Sequence, residues 1–304
     1  MSSPITPVPE LIGPDYSVVQ YRPDLWKVVR YASTAPRMPH LHKKEDGFKH
    51  DDKLPAALSR ARKVCLELAL CNDWSWFATF TIAASNYDRS NLDGFYERFN
   101  GWLRKQRMQH GVKIPYLLVP EQHGDGSWHL HGFFNSDIDQ FLVSFRSLDQ
   151  DGFVSPSGKR LPVNLVRGEF YDWPAYRERF GFCSFGRIRN HDAAAFYAVK
   201  YISKSFQGDA KRVGLKLYYC SQGLNRSEPL DQVYGPCPPL DSCLVNHYAH
   251  CSTGFVHIPK EFGDQPMLDL LEEYTSRMHP LDPDPGLIDE VDRYYEVAHQ
   301  YSLW

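Results

Sequence analysis

Between positions 90 and 110 the apolar residues recur every three or four positions. Leu92, Phe95, Tyr96, Phe99, Trp102 and Leu103 share one face, and Arg98, Arg104, Lys105 and Arg107 lie opposite. That spacing predicts an amphipathic helix, and Ser90 or Asn91 supplies a cap at its start. Residues 76–82 (WFATFTI) are instead an unbroken β-branched and aromatic run of strand length. Residues 116–121 (YLLVPE) read as a short buried strand and 128–134 (WHLHGFF) as a second. The intervening HGDGS supplies turn chemistry through Gly124, Asp125 and Gly126, so the two strands are expected as a hairpin. Residues 59–70 (SRARKVCLELAL) read as a helix that opens on Arg60, Arg62 and Lys63. A polar stretch then extends to about residue 180, a strand is expected over 182–189, and Asn190 caps a helix from 191 to about 206. Residues 212–258 look β-rich and irregular, and 264–279 and 286–300 read as two acidic helices. Residues 1–57, rich in Pro, His and Lys and weak in periodicity, are expected to form an extended arm, ordered in part at best. The organisation expected is therefore an arm over 1–57, a main domain over 58–225 and an extension over 226–304.

With 304 residues, 42% of them hydrophobic, the chain can build one large core or two small ones. Seven scattered cysteines, an odd number, read as reduced thiols rather than a disulfide framework. The N-terminus has neither a basic nor an apolar region of secretory type, and no run approaches bilayer length, so a cytoplasmic protein is expected. The net charge of −3 is wrong at first sight for a nucleic-acid partner, but its distribution is not. Residues 261–304 hold eleven Asp/Glu against two Lys/Arg, a net of −9 that leaves +6 for residues 1–260. Residues 181–220 alone carry seven Lys/Arg against two Asp. A basic body with an acidic tail suits a nucleic-acid partner. There is no phosphate-binding glycine loop of the G-x-x-x-x-G-K-[ST] kind, hence no expectation of a fused helicase or ATPase.

Two patterns carry chemistry. In a strand, His129 and His131 point to the same face, where a rigid sheet can present two imidazoles to one metal ion. Glu121, across the hairpin, is the candidate third ligand, with His123 in reserve. The same pair also fits a hydrogen-bonded core or surface pair. On the helix AAAFYAVKYISKSF, Tyr197, Lys200, Tyr201 and Lys204 form one stripe, opposite Ala195, Ala198, Val199, Ile202 and Phe206. A phenol can attack phosphorus once a cation favours the phenolate and the charge developing on phosphate. Packed tyrosines with snorkelling lysines are the alternative reading of that stripe.

FATFTI, EQHGDGSWHLHGFF and FYAVKYISK, in that order, resemble the three motifs of the HUH endonucleases, in particular the rolling-circle replication initiators of microviruses, filamentous phages and related plasmids. The resemblance spans about residues 59–225 and includes a downstream YYCSQGLNR. It implies an α+β fold with a split βαβ (ferredoxin-like) domain around a central antiparallel sheet, followed by an irregular C-terminal extension with acidic helices. It implies that His129, His131 and Glu121 hold Mg²⁺ or Mn²⁺, that Tyr197 and Tyr201 are nucleophiles, and that Lys200 and Lys204 assist them. Because each tyrosine reads Y-x-x-K, single-tyrosine chemistry at either position stays open, with Tyr197 favoured. The implied activity is nicking and rejoining of single-stranded origin DNA through a 5′-phosphotyrosine, with a host helicase and DNA polymerase as partners in the bacterial cytoplasm.

Arg60, Arg62, Lys63, Arg187, Arg189 and Lys211 are candidate phosphate contacts, and Trp74, Trp76 and Trp128 candidate base-stacking platforms or core residues. Three rival readings stand beside the initiator. A transposase or relaxase of the same class is one, although a relaxase places its tyrosine ahead of its histidines. A non-catalytic DNA-binding domain is the second. A structural zinc held among Cys237, Cys243, His247, His250 and Cys251, at irregular spacing, is the third.

Overall fold

A computed structural model describes residues 16–31, 50–154, 160–205, 216–233, 246–247 and 251–257. Its first elements are β1 (Tyr16–Arg22), β2 (Leu25–Tyr31), α1 (His50–Cys71), β3 (Trp76–Thr81), α2 (Leu92–His110), β4 (Tyr116–Gln122) and β5 (Trp128–Phe134). Next come β6 (Val143–Ser144), α3 (Phe145–Gln150), α4 (Val163–Arg167), β7 (Phe170–Asp172), α5 (Pro174–Arg179), β8 (Cys183–Arg187) and α6 (His191–Ser205). The last are β9 (Tyr219–Cys220), β10 (Glu228–Val233), β11 (Asn246–His247) and β12 (Cys251–His257). The chain divides into two units, one of Met1–Gly47 with Ser227–Asp284 and one of Phe48–Arg226 with Pro285–Trp304.

The second unit is mixed α+β and is built on a central antiparallel sheet ordered β6-β7-β8-β3-β5-β4-β9. β3 and β4 both run antiparallel to β5, which lies between them, so they run parallel to each other and α2 joins them. All six residues of β3 are buried. With both faces of the sheet covered there is no solvent side, which is why WFATFT is an unbroken apolar run. On one face, Trp76, Ala78 and Phe80 join Leu118, Leu130, Phe134 and Phe185 beneath Phe95, Phe99 and Trp102 of α2. Phe80 is the hub, its ring centroid 5.5 Å from Phe99, 5.6 Å from Phe134, 5.4 Å from Phe185 and 4.7 Å from Tyr176. α2 forms where its periodicity places it. Asn91 Oδ1 accepts from Gly94 N at its start, and Gly111, at φ 66°, closes it in the left-handed conformation.

The other face carries Phe77, Thr79 and Thr81 of β3, opposite Phe133, His131 and His129 of β5. α1 and α6 pack against each other, and α6 lies on β4 and β5 on this side. Gly132 sets the closeness of the two strands. A Cβ there would overlap the carbonyl oxygen of Leu117 and come within 2.8 Å of Leu118 Cα.

Three expectations need correction. Residues 16–31, read as part of an arm, are the hairpin β1–β2, which pairs with β10 and β12 in a five-stranded antiparallel sheet of the first unit. The strand signal was hidden because register shifts between Gln20 and Arg22, so the buried positions Val18, Tyr21, Leu25 and Val28 do not keep a period of two. The helix expected from residue 59 begins at His50. The stretch read as polar up to residue 180 contains β6, α3, α4, β7 and α5, each six residues or shorter and so without a periodic signature. The acidic helices expected over 264–279 and 286–300 lie outside the described residues, as do Cys237, Cys243 and His250. His247 and Cys251 fall in β11 and β12. Among the described residues no helix is long and apolar enough to cross a membrane.

Candidate active site

The cross-strand register brings the sequence candidates together. On the β4–β5 ladder Glu121 stands directly opposite His129, and on the β3–β5 ladder Thr79 stands opposite His131. All are buried, with His129 1%, His131 2% and Glu121 4% exposed. His131 Nε2 lies 2.8 Å from Glu121 Oε2, and its Nδ1 lies 3.1 Å from Thr79 Oγ1. With the proton on Nε2, the ring donates to the carboxylate and accepts from the threonine hydroxyl. With the proton on Nδ1, the ring donates to Thr79 and its Nε2 lone pair faces the carboxylate, which is the tautomer a ligating imidazole takes. His123, from the turn, places Nε2 3.9 Å from the same carboxylate oxygen and its ring 4.0 Å from that of His129.

His129 completes the set. Its Nε2 is buried without a hydrogen-bond partner. Burial first, then the imidazoles of His123 and His131, hold its pKa far below the ordinary histidine range, against the opposing pull of Glu121. The ring is therefore neutral, with a buried nitrogen unsatisfied. Two imidazoles and a carboxylate on one face are donors of the kind a divalent cation takes, and the orphaned Nε2 is the atom a cation would satisfy. The fit is of donor type: among the described residues no group of three or more His, Cys, Asp or Glu side chains is placed to hold a metal ion, and Glu121 and His131 bond to each other.

α6 brings Tyr197 to the same face. Its ring centroid is 5.7 Å from that of Phe77, which in turn packs on Phe133 at 5.3 Å. His131 and Thr79 are the next residues on that face, one strand repeat of roughly 7 Å along. Tyr197 is 6% exposed, and Ala195, Ala198 and Ile202 are buried too. Tyr197 is packed, as the alternative reading of the stripe had it, because α6 is covered by α1 on one side and by the sheet on another. Lys200, Tyr201 and Lys204 belong to α6, within one to two turns of Tyr197, but their side chains lie outside the described residues.

Trp74, Trp76 and Trp128 are buried at 6%, 1% and 2% exposure, so of the two readings open for them they are core residues and not base platforms. Each indole N–H is used internally: Trp74 donates to Ala69 O, Trp76 to Asp139, and Trp128 to Ser90 O. Arg60 and Lys63 are exposed on α1, while Arg62 is half-buried. Arg187 lies over the Trp76 ring at 4.4 Å, and Arg189 pairs with Glu169 at 3.1 Å. Lys211 lies outside the described residues. Sequence reasoning missed Thr79, although it lies within the FATFTI motif, because a threonine in a strand is ordinary until its partner across the ladder is known. No curated protein and no solved structure matches the chain. From β3 through α6, over residues 75–206, the chain matches the family model of the ORF2-type replication-associated proteins.

Proposed function

We propose that the chain is a replication initiator that nicks one strand of origin DNA by tyrosine attack, holds the new 5′ end covalently and rejoins it after synthesis. The observation that carries this reading is the sharing of one sheet face by His129, His131, Glu121 and Tyr197's helix. The family match over the same segment, a replication-associated family, supports it. β3, α2 and β4 with β5 between them have the connectivity of a split βαβ (ferredoxin-like) unit, the fold the reading requires.

In this mechanism the phenol oxygen of Tyr197 or Tyr201 bonds to the scissile phosphorus while its proton passes to solvent, which in turn protonates the departing 3′ oxygen. The bond from phosphorus to the 3′ oxygen breaks, and that oxygen leaves as a free 3′-OH after taking up a proton. The products are a 5′-phosphotyrosine and a primer end for a host polymerase, with a host helicase opening the duplex. His129, His131 and Glu121 would hold Mg²⁺ or Mn²⁺, which supplies charge neutralisation at the phosphate. Thr79 fixes the His131 ring through Nδ1. Lys200 and Lys204, on the same helix as the tyrosines, contribute positive charge toward the phenolate and the phosphate. In the reverse step, the 3′-OH attacks the phosphotyrosine and regenerates the phenol.

The experiment is a nicking assay on single-stranded origin DNA with Mn²⁺, resolved on a denaturing gel. A protein–DNA band that EDTA abolishes is expected, together with its loss in Tyr197→Phe/Tyr201→Phe. DNA binding without any such band would assign the fold to a non-catalytic binder.

A further inference from the structure

The loop joining β3 to α2 contains a cation that the sequence motifs do not touch. Residues 83–91 of this loop are pinned to the start of β5. Trp128 N donates to Arg89 O at 3.0 Å, and Trp128 Nε1 donates to Ser90 O at 3.1 Å. Asp88 Oδ1 accepts from both Ser90 N and Ser90 Oγ, at 2.9 and 2.6 Å, which stiffens the turn. Arg89 is therefore anchored by its backbone one residue from His129. Its Nη2 donates to Ser127 Oγ at 3.0 Å, and Ser127 Oγ donates to Asp125 Oδ1 at 2.6 Å.

We propose that Arg89 is a phosphate-binding residue of the nicking site, which holds a backbone phosphodiester of single-stranded DNA beside the His129–His131–Glu121 cluster. A guanidinium has five N–H donors and stays charged. Here it meets a hydroxyl rather than a carboxylate, and its Nε is buried with no hydrogen-bond partner. A buried N–H without a partner is unfavourable, and a phosphate oxygen toward which the half-buried side chain turns would relieve it. The hydroxyl of Ser127, tied to Asp125, accepts from the fork and orients it. Its anchored backbone and its bond to Ser127 place this guanidinium at the edge of the cluster where the reaction is placed.

The inference rests on the nicking reading, and its test separates the two. Binding of single-stranded origin DNA is measured by fluorescence anisotropy in EDTA, across a salt series, for the wild type, Arg89→Gln and Arg89→Lys. Each phosphate contact on a single strand contributes about 0.7 to the slope of log affinity against log salt. Arg89→Gln is expected to lower the slope by about that amount and to weaken binding roughly 10-fold at low salt, while Arg89→Lys keeps the slope. A single methylphosphonate, which removes the charge of one phosphate, is then walked through the nick region. At one position it should weaken the wild type and leave Arg89→Gln unaffected. An unchanged slope in a folded Arg89→Gln, or equal losses for both proteins at every methylphosphonate position, overturns the proposal. If the wild type binds DNA but forms no covalent adduct, the nicking reading fails. If the wild type forms the adduct and Arg89→Gln keeps the wild-type slope, only the role of Arg89 fails.

Discussion

Thr79→Val replaces a hydroxyl with a methyl group of nearly the same size at a site where little can move. Thr79 is 6% and His131 2% exposed, and the Thr79 Oγ1 to His131 Nδ1 distance is 3.1 Å. The substitution leaves the buried Nδ1 facing a methyl group. An unsatisfied buried donor or acceptor costs about 1–3 kcal/mol. Part of that falls on stability and part on the preference for the tautomer that keeps the Nε2 lone pair toward Glu121. Loss of a partner that orients a ligating histidine typically lowers metal affinity about 10- to 100-fold, or about 1.4–2.7 kcal/mol. The expected outcome is a nicking reaction whose half-saturating Mn²⁺ concentration rises by about 10- to 100-fold while the rate at saturating Mn²⁺ stays within a few-fold of wild type. Thr79→Ser restores the hydroxyl and should restore the wild-type metal dependence. Calorimetric titration of Mn²⁺ into the DNA-free protein provides the same comparison without catalysis. A folded Thr79→Val with unchanged Mn²⁺ dependence in both measurements would refute the role given to Thr79 and, with it, His131 Nε2 as a ligand.

Gly132→Ala should destabilise the second unit by on the order of 2–4 kcal/mol, because the added methyl group meets the β4 backbone and cannot be accommodated by a side-chain shift; urea unfolding measures it, and a change under about 0.5 kcal/mol would refute the close approach of β4 and β5. Asp172 is fully buried, and that burial lifts its carboxyl to about 6 against the pull of Arg177. Its folded pKa is above its unfolded one, so its contribution is complete below about pH 4 and is lost as pH rises through about 6, a total on the order of 3 kcal/mol. The difference in unfolding free energy between wild type and Asp172→Asn should therefore change by that order between pH 4 and 7, and a pH-independent difference would contradict the assignment.

The core of the site was legible because its signals are local. His129 and His131 share a face by strand parity alone, and the HGDGS turn folds Glu121 back to the position opposite His129. α2 was legible from its stripe of large apolar residues, five of which are buried. What was not legible depends on long-range partners. Arg89 lies in a loop with no motif, and long-range bonds to Ser127 and Trp128, 38 and 39 positions on, bring it beside His129. β1 and β2 escaped notice because a register shift breaks their alternation and because their partners β10 and β12 come about 200 residues later in the chain. The sequence left Tyr197 undecided between packed and open, because a helix with two covered sides does not divide into one buried and one open stripe.

In the proposed mechanism a tyrosine of α6 becomes covalently joined to the 5′ end of the nicked strand. Trypsin cleaves after Arg189, Lys200 and Lys204, so it separates Tyr197, in residues 190–200, from Tyr201, in residues 201–204. Mass spectrometry of the nuclease-trimmed, trypsin-digested adduct reads the attachment directly. A nucleotide remnant on one or both of these peptides is the predicted result. A remnant confined to a peptide outside α6, or nicked DNA with no remnant on the protein, would contradict the account.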